Sequence, residues 1–182
     1  MNEELKVLFM ITKKLETAGV PYLISGSIAA NYYTVPRMTR DIDVVVELKL
    51  NDVDRFVKVF GSDFWVDPSM VKQEVMSRGM FNLIHKEYVI KVDFILRKEN
   101  QFQESAFHRR KRVTVERQAM WFISAEDLIL AKLLWAQDSC SEVQLNDVKH
   151  LLRTVEGLDQ IYLTKWIDRL ALQKIYRKIN HE

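Results

Sequence analysis

The chain has 182 residues, 48% hydrophobic and 29% charged, which is enough for one globular core. Its formal net charge of +2 is too small to imply nucleic acid or an anionic membrane as partner. The single cysteine, Cys140, excludes an intrachain disulfide and a cysteine-cluster metal site, and no apolar run approaches the roughly 20 residues of a spanning helix.

Taken in chain order, residues 3–18 place Leu5, Leu8, Phe9, Thr12 and Leu15 at helical spacing and stop at Gly19. This opening reads as an amphipathic helix rather than a signal peptide, so the expected location is the cytoplasm, with no membrane. A short strand follows over 21–25, then a short helix over 27–33. The valine-rich run 41–48 predicts a strand. Residues 50–60 show helical periodicity, with Asn51 or Asp52 as cap. A helix over 68–77 begins at a proline, and two strands, 79–86 and 88–97, are joined by a tight turn. A short helix over 101–108 and a β-rich stretch over 112–123 come next. From Ser124 the chain reads as three helical segments ending near Lys178. With only five glycines and three prolines there is little linker material. The order predicts an α+β fold, a mixed sheet with packed helices and a helical C-terminal part. Residues 1–123 form the expected core and 124–182 the helices packed on it as one unit.

The chemistry is concentrated in "LISGSIAANYYTVPRMTRDIDVVVEL", residues 23–48. On a strand, Asp41 and Asp43 share a face. Two carboxylates so close resist joint ionisation unless a cation lies between them. Either they sit at a strand end, in water or paired with Arg37 and Arg40, or they hold a hard divalent ion such as Mg²⁺ or Mn²⁺. Gly26-Ser27 stands where a strand turns into a helix, the place where a backbone can approach phosphate. Residues 28–40 suffice for a helix and a return loop, which would bring that turn to the same end of the sheet as the acids. A third isolated acid, Asp93, lies inside the apolar run 88–96 and is costly there unless paired or metal-bound.

G-S, a gap of about a dozen residues, D-x-D among apolar residues, and a later D among apolar residues resemble the DNA polymerase β-like nucleotidyltransferases. "GSIAANYY…RMTRDIDVVV" is similar to the bacterial branch holding the AbiEii-type toxin nucleotidyltransferases and many uncharacterised proteins. Ser25 departs from the apolar residue common before that glycine. The resemblance covers residues 22–97. It implies a polymerase β-like fold and Mg²⁺-dependent transfer of an NMP from an NTP to an acceptor hydroxyl, releasing pyrophosphate. Asp41, Asp43 and Asp93 would be catalytic and hold the metal, and Asp93 would take the acceptor's proton. Gly26 and Ser27 would hold the outer phosphates, with Arg37 or Arg40 neutralising charge.

In "SAEDLILAKLLWAQDSCSEVQLNDVKHLL" (124–152), Ser124 and Asp127 read as a capping box. Lys132 has only apolar neighbours at i±3 and i±4. Its stem either packs while the ammonium snorkels to water, or the ammonium reaches a phosphate. The stretch resembles the region after the core in the same group, which implies that Lys132 and Asp147 line the nucleotide site. Ser141, Glu142 and Gln144 match without an assignable chemistry. The basic run "FHRRKRVTVER" (107–117) reads as RNA-contacting or as alternating charge on a solvated strand. The histidines show no ligand spacing, and Ser27 has no partners for a Ser-His-Asp hydrolase. The acceptor stays open among tRNA, protein and small molecule, and so does the nucleobase. The competing reading is a non-catalytic nucleotide-binding or interaction module, such as a toxin–antitoxin component, whose partner would be a cognate antitoxin or a second copy.

Overall fold

A computed structural model describes residues 2–39 and 41–180. Helix α1 (Glu3–Ala18) starts on Asn2, whose Oδ1 accepts the Leu5 amide at 2.9 Å, and ends on Gly19 in the left-handed region. Strand β1 (Tyr22–Ile24), helix α2 (Gly26–Tyr33) and strand β2 (Asp41–Val46) follow. The helix expected over 50–60 is a 3₁₀ turn at Leu50–Asp52 continuing into α3 (Val53–Phe60). Asp52 stands at its start but turns its carboxylate to Arg55 (2.8 Å) instead of capping it.

Strand β3 (Phe64–Trp65) was not foreseen, because two residues show no alternation. Helix α4 (Pro68–Ser77) has its proline in the first turn and is capped by Asp67. Strands β4 (Met80–His85) and β5 (Lys91–Leu96) form the expected hairpin. Helix α5 (Gln101–His108) leads to β6 (Lys111–Val115) and β7 (Gln118–Phe122).

The C-terminal part holds four helices where three were expected: α6 (Ala125–Ser139), α7 (Glu142–Thr154), α8 (Gln160–Arg169) and α9 (Gln173–Asn180). The extra break falls at Ala171, which adopts a left-handed backbone (φ 54°) with neither glycine nor proline to announce it. The capping box at the start of α6 is present: the Asp127 amide donates to Ser124 Oγ at 3.2 Å. Among the described residues no helix is long and apolar enough to cross a membrane.

The strands form one mixed sheet in the order β3-β4-β5-β2-β1-β7-β6. β2 and β5 run parallel at its centre, and β1 lies antiparallel to β2. One face is covered across the central strands. Phe81 and Phe94 stack there at 5.2 Å, and Phe56 and Phe60 of α3 meet Phe94 edge-on at 5.4 and 5.5 Å. All four rings are buried, each stabilising by about 2 kcal/mol. The other face is divided. At β1 it is covered, with Leu23 buried, and α2 packs beside it against β2, α6 and α7. At β4 it is open, with Met80, Asn82 and Ile84 all exposed. The acids of the core motif lie on this divided face, between its covered and open halves.

Candidate active site

The parallel register of β2 and β5 sets Asp41 beside Lys91 and Asp43 beside Asp93. The three predicted acids therefore share one face at one end of the sheet, by strand geometry alone. Asp41 is exposed at the strand end, Asp43 is half-buried and Asp93 is only 8% exposed. Among the described residues the cation that pairs with them is not Arg37, which is bound to Asp147. Lys91 Nζ lies 2.8 Å from Asp93 Oδ2 and 3.7 Å from Asp41 Oδ1. The Lys91-Val-Asp93 spacing carried this signal, since i and i+2 share a strand face, but it went unread.

Asp93 Oδ1 is buried with no hydrogen-bond partner, an arrangement that is unfavourable unless something else is meant to occupy it. Burial, and then the charge of Asp93, push the Asp43 carboxyl above its ordinary pKa, while Lys132 opposes the shift. Its hydrogen bond to Asp93 raises the Lys91 ammonium. Among the described residues no three His, Cys, Asp or Glu side chains are gathered so that they could hold a metal ion; the Lys91 ammonium lies against Asp93 and Asp41 instead. The donors are still those a hard divalent cation takes: carboxylate oxygens, one of them orphaned.

The Gly26 turn closes directly on these acids. The Ser25 amide donates to Asp43 O at 3.0 Å, and Gly26 has φ +60°. A Cβ on Gly26 would stand 1.8 Å from Asp43 Oδ2. Glycine and acid are thus one feature: the turn fits only a residue without a side chain, because the Asp43 carboxylate fills the space. Gly26→Ala is expected to destabilise the fold by about 1–3 kcal/mol through the left-handed backbone and to displace Asp43. Denaturant unfolding together with nucleotide turnover checks this; an alanine variant with unchanged stability would show that the turn tolerates a side chain.

A cationic group faces the acids from the helical half. Lys132 does not snorkel. It is 3% exposed, and its Nζ donates to Asp147 Oδ2 at 2.8 Å and Gln144 Oε1 at 2.9 Å. Arg37 forks onto the same carboxylate, Nε to Oδ1 and a terminal nitrogen to Oδ2, both at 3.0 Å. That nitrogen also donates to Ser27 Oγ at 2.8 Å. Asn31 pins the Arg37 backbone, donating to its carbonyl (2.7 Å) and accepting from its amide (3.0 Å). Burial would raise the Asp147 carboxyl, but its bonds from Arg37 and Lys132 outweigh this and hold it below its ordinary value. Asp147 is therefore saturated by two cations, and Gln144, left without a role by the sequence, is the third member of the cluster. Arg40 lies outside the described residues.

The basic run has a structural occupation that neither sequence reading proposed. Arg109 lies 3.8 Å over the Tyr162 ring and pairs with Glu126 (3.3 Å) and Asp127 (3.4 Å). Tyr162 and Ser124 each donate to Asp127 at 2.6 Å. Arg110 sits between Phe107 (4.5 Å) and Trp121 (4.8 Å). These arginines staple α5, α6 and α8 together beside β6, at the sheet edge opposite β3.

No family model matches the chain, and no curated protein matches it. Solved structures do. An antigenic nucleotidyltransferase-like protein from Paracoccidioides brasiliensis is 17% identical, covering 98% of this chain and 92% of that one, at a TM-score of 0.59. The antibiotic-resistance factor ANT(2'')-Ia is 13% identical, covering 97% and 95%, at 0.61. The lincosamide antibiotic adenylyltransferase LnuA, in its lincomycin-bound form, is 17% identical, covering 85% and 99%, at 0.58. At such identities the likeness establishes the fold: the chain has the α+β architecture of nucleotidyltransferases.

Proposed function

We propose that the chain is a nucleotidyltransferase that moves an NMP from an NTP to an acceptor hydroxyl. The observation that carries this is the in-register pair Asp43 and Asp93, with its orphaned Oδ1, closed over by a turn that only glycine fits. The named activities of the structural neighbours support the reaction class, and the resemblance of "GSIAANYY…RMTRDIDVVV" is what points to the AbiEii-type branch.

In the reaction the acceptor oxygen bonds to the α-phosphorus, the bond from that phosphorus to the bridging oxygen of the β-phosphate breaks, and pyrophosphate leaves. Asp41, Asp43 and Asp93 would hold Mg²⁺ or Mn²⁺. The bound ion supplies charge neutralisation and a lowered pKa at the acceptor hydroxyl. The Gly26 amide and Ser27 hydroxyl hold the outer phosphates. Lys132 and Arg37 face the charge that develops on the leaving group, while Asp147 positions both cations rather than touching nucleotide. Asp93 accepts the hydroxyl proton.

Thermal melting with each NTP, with and without Mg²⁺, tests the reading. Nucleotide at about 100 times its Kd stabilises by about 2.7 kcal/mol, a rise of roughly 5–10 °C for a chain of this size. The rise is expected only with metal present. Equal melting in all mixtures would leave the interaction-module reading. Labelled NTPs incubated with cell extract then identify the class of molecule that is modified.

A further inference from the structure

The open half of the acid-bearing face leads away from the site in ordered rows. Strand register places Trp65 beside Ile84, Ile84 beside Lys91 and Lys91 beside Asp41 in one row. Asn82, Asp93 and Asp43 form the next row, and Met80, Ile95 and Val45 the one after. Trp65 is 66% exposed, Met80 52% and Ile84 38%. Large apolar side chains grouped on one face of a sheet and left largely exposed mark a binding surface rather than core. This one is continuous with the acids. Strands lie about 4.8 Å apart, so the indole stands roughly 10 Å from the Lys91 row position and one strand beyond Ile84.

We infer that this strip of β3 and β4 is the acceptor platform, and that the acceptor is a small hydroxylated molecule with a planar apolar body, neutral or anionic. The inference rests on the nucleotidyl-transfer reading. With the acceptor hydroxyl at the acids, a body about 10 Å long lies across Asn82 and Ile84 and ends against the Trp65 ring.

Charge selects among acceptors. Trp65, Met80, Asn82 and Ile84 carry none, and the flanking cations are Lys91 at one end and Lys86, 5.4 Å from the Trp65 ring centroid, at the other. A polycationic acceptor would meet lysines at both ends of the strip, and Glu74, which borders it, already accepts the Met80 amide at 3.1 Å. A long RNA would need a basic track, yet the basic run lies at the opposite edge of the sheet, with Arg109 and Arg110 held in stacking contacts.

The test uses 2-naphthalenemethanol as probe, a planar ring bearing one hydroxyl. Its titration into the protein is followed by NMR of the indole N–H groups and the methionine and isoleucine methyls, and its labelling from α-labelled NTP is measured. The Trp65 indole and the Ile84 and Met80 methyls are expected to shift. Trp65→Ala, an exposed position whose loss leaves the fold intact, should weaken probe binding and lower acceptor kcat/KM at least tenfold, with the metal-dependent NTP melting shift unchanged. Ile84→Asp should act in the same direction. Perturbation elsewhere, or none, overturns the platform. So does equal labelling of tobramycin or of an RNA 3′ end by wild type and Trp65→Ala, or a dimer that Trp65→Ala dissolves. Probe binding at Trp65 without any NTP melting shift instead sinks the nucleotidyl-transfer reading and leaves the surface.

Discussion

Asp43→Asn is expected to abolish nucleotide turnover and, in the same protein, to raise stability when metal is chelated. The first effect follows from removing a carboxylate from the set that holds the ion. Several kcal/mol of transition-state charge stabilisation are at stake, at least about a thousandfold in rate. The second follows from the ion-free site. Asp43 is pushed up by burial and by Asp93, so its charged form is held against its preference. An amide of the same shape removes that repulsion and can donate toward the unpartnered Asp93 Oδ1. The gain is about 1 kcal/mol at pH 7, read as a higher denaturant midpoint with unchanged slope.

The sign has a pH signature. A carboxyl whose folded pKa is raised is a liability above that pKa, where both folded and unfolded states are ionised. As pH falls through the folded pKa, the native state takes up a proton and the liability shrinks. It vanishes below the unfolded value of about 4. The stability difference between Asp43→Asn and wild type in EDTA should therefore be largest at neutral pH and close as acid is added. A variant less stable than wild type at pH 7 would mean that Lys91 already satisfies the acids and that the site has no need of a further cation.

What the sequence revealed and what it hid follow one physical line. Asp41 and Asp43 two apart, Gly26 at a strand-to-helix turn and Asp93 inside an apolar run are local patterns, and local periodicity fixes which face each side chain takes. The parallel register that sets Asp43 beside Asp93 is a tertiary fact that no local pattern states; only the isolation of Asp93 inside an apolar run hinted that it had a partner. Other partners set by tertiary packing left no such trace. Arg37 meets Asp147 at a separation of 110 positions, and nothing in Arg37-Met-Thr-Arg40 marks Arg37 as the partner of that acid. Lys132 was visible as a charge without a polar face, but its partners depend on how α7 folds back on α6. Arg109 and Arg110 read as RNA-contacting or solvated because the rings they stack on, Tyr162 and Trp121, arrive from later elements. Strand β3 was hidden because two residues have no period, and so the open strip that Trp65 completes was hidden with it.

Asp147→Ala is expected to cost about 3–5 kcal/mol, the range for removing one member of a buried ion pair. The melting temperature should fall by roughly 6–20 °C. The asymmetry of the cluster sharpens this. Removing Asp147 strands Lys132, which is 3% exposed and would keep only the neutral Gln144 Oε1 as acceptor. Arg37 is more exposed and can turn to water. Lys132→Met, in contrast, leaves Asp147 still gripped by both arms of the Arg37 fork, so it should cost no more than about 1–2 kcal/mol in stability. Its penalty should appear in turnover, where the ammonium that faces the phosphates is lost. Combining the two replaces a buried pair with an apolar side chain and removes the stranded charge. The double variant should therefore be more stable than Asp147→Ala alone, a coupling of 1 kcal/mol or more that a double-mutant cycle reads directly. Asp147→Asn keeps the shape but weakens the hold on both cations, so it should lower kcat more than it raises KM for the nucleotide. If the single substitutions cost the same and added without coupling, Asp147 would be a solvated helix residue and Lys132 would have to find its place at the site by itself.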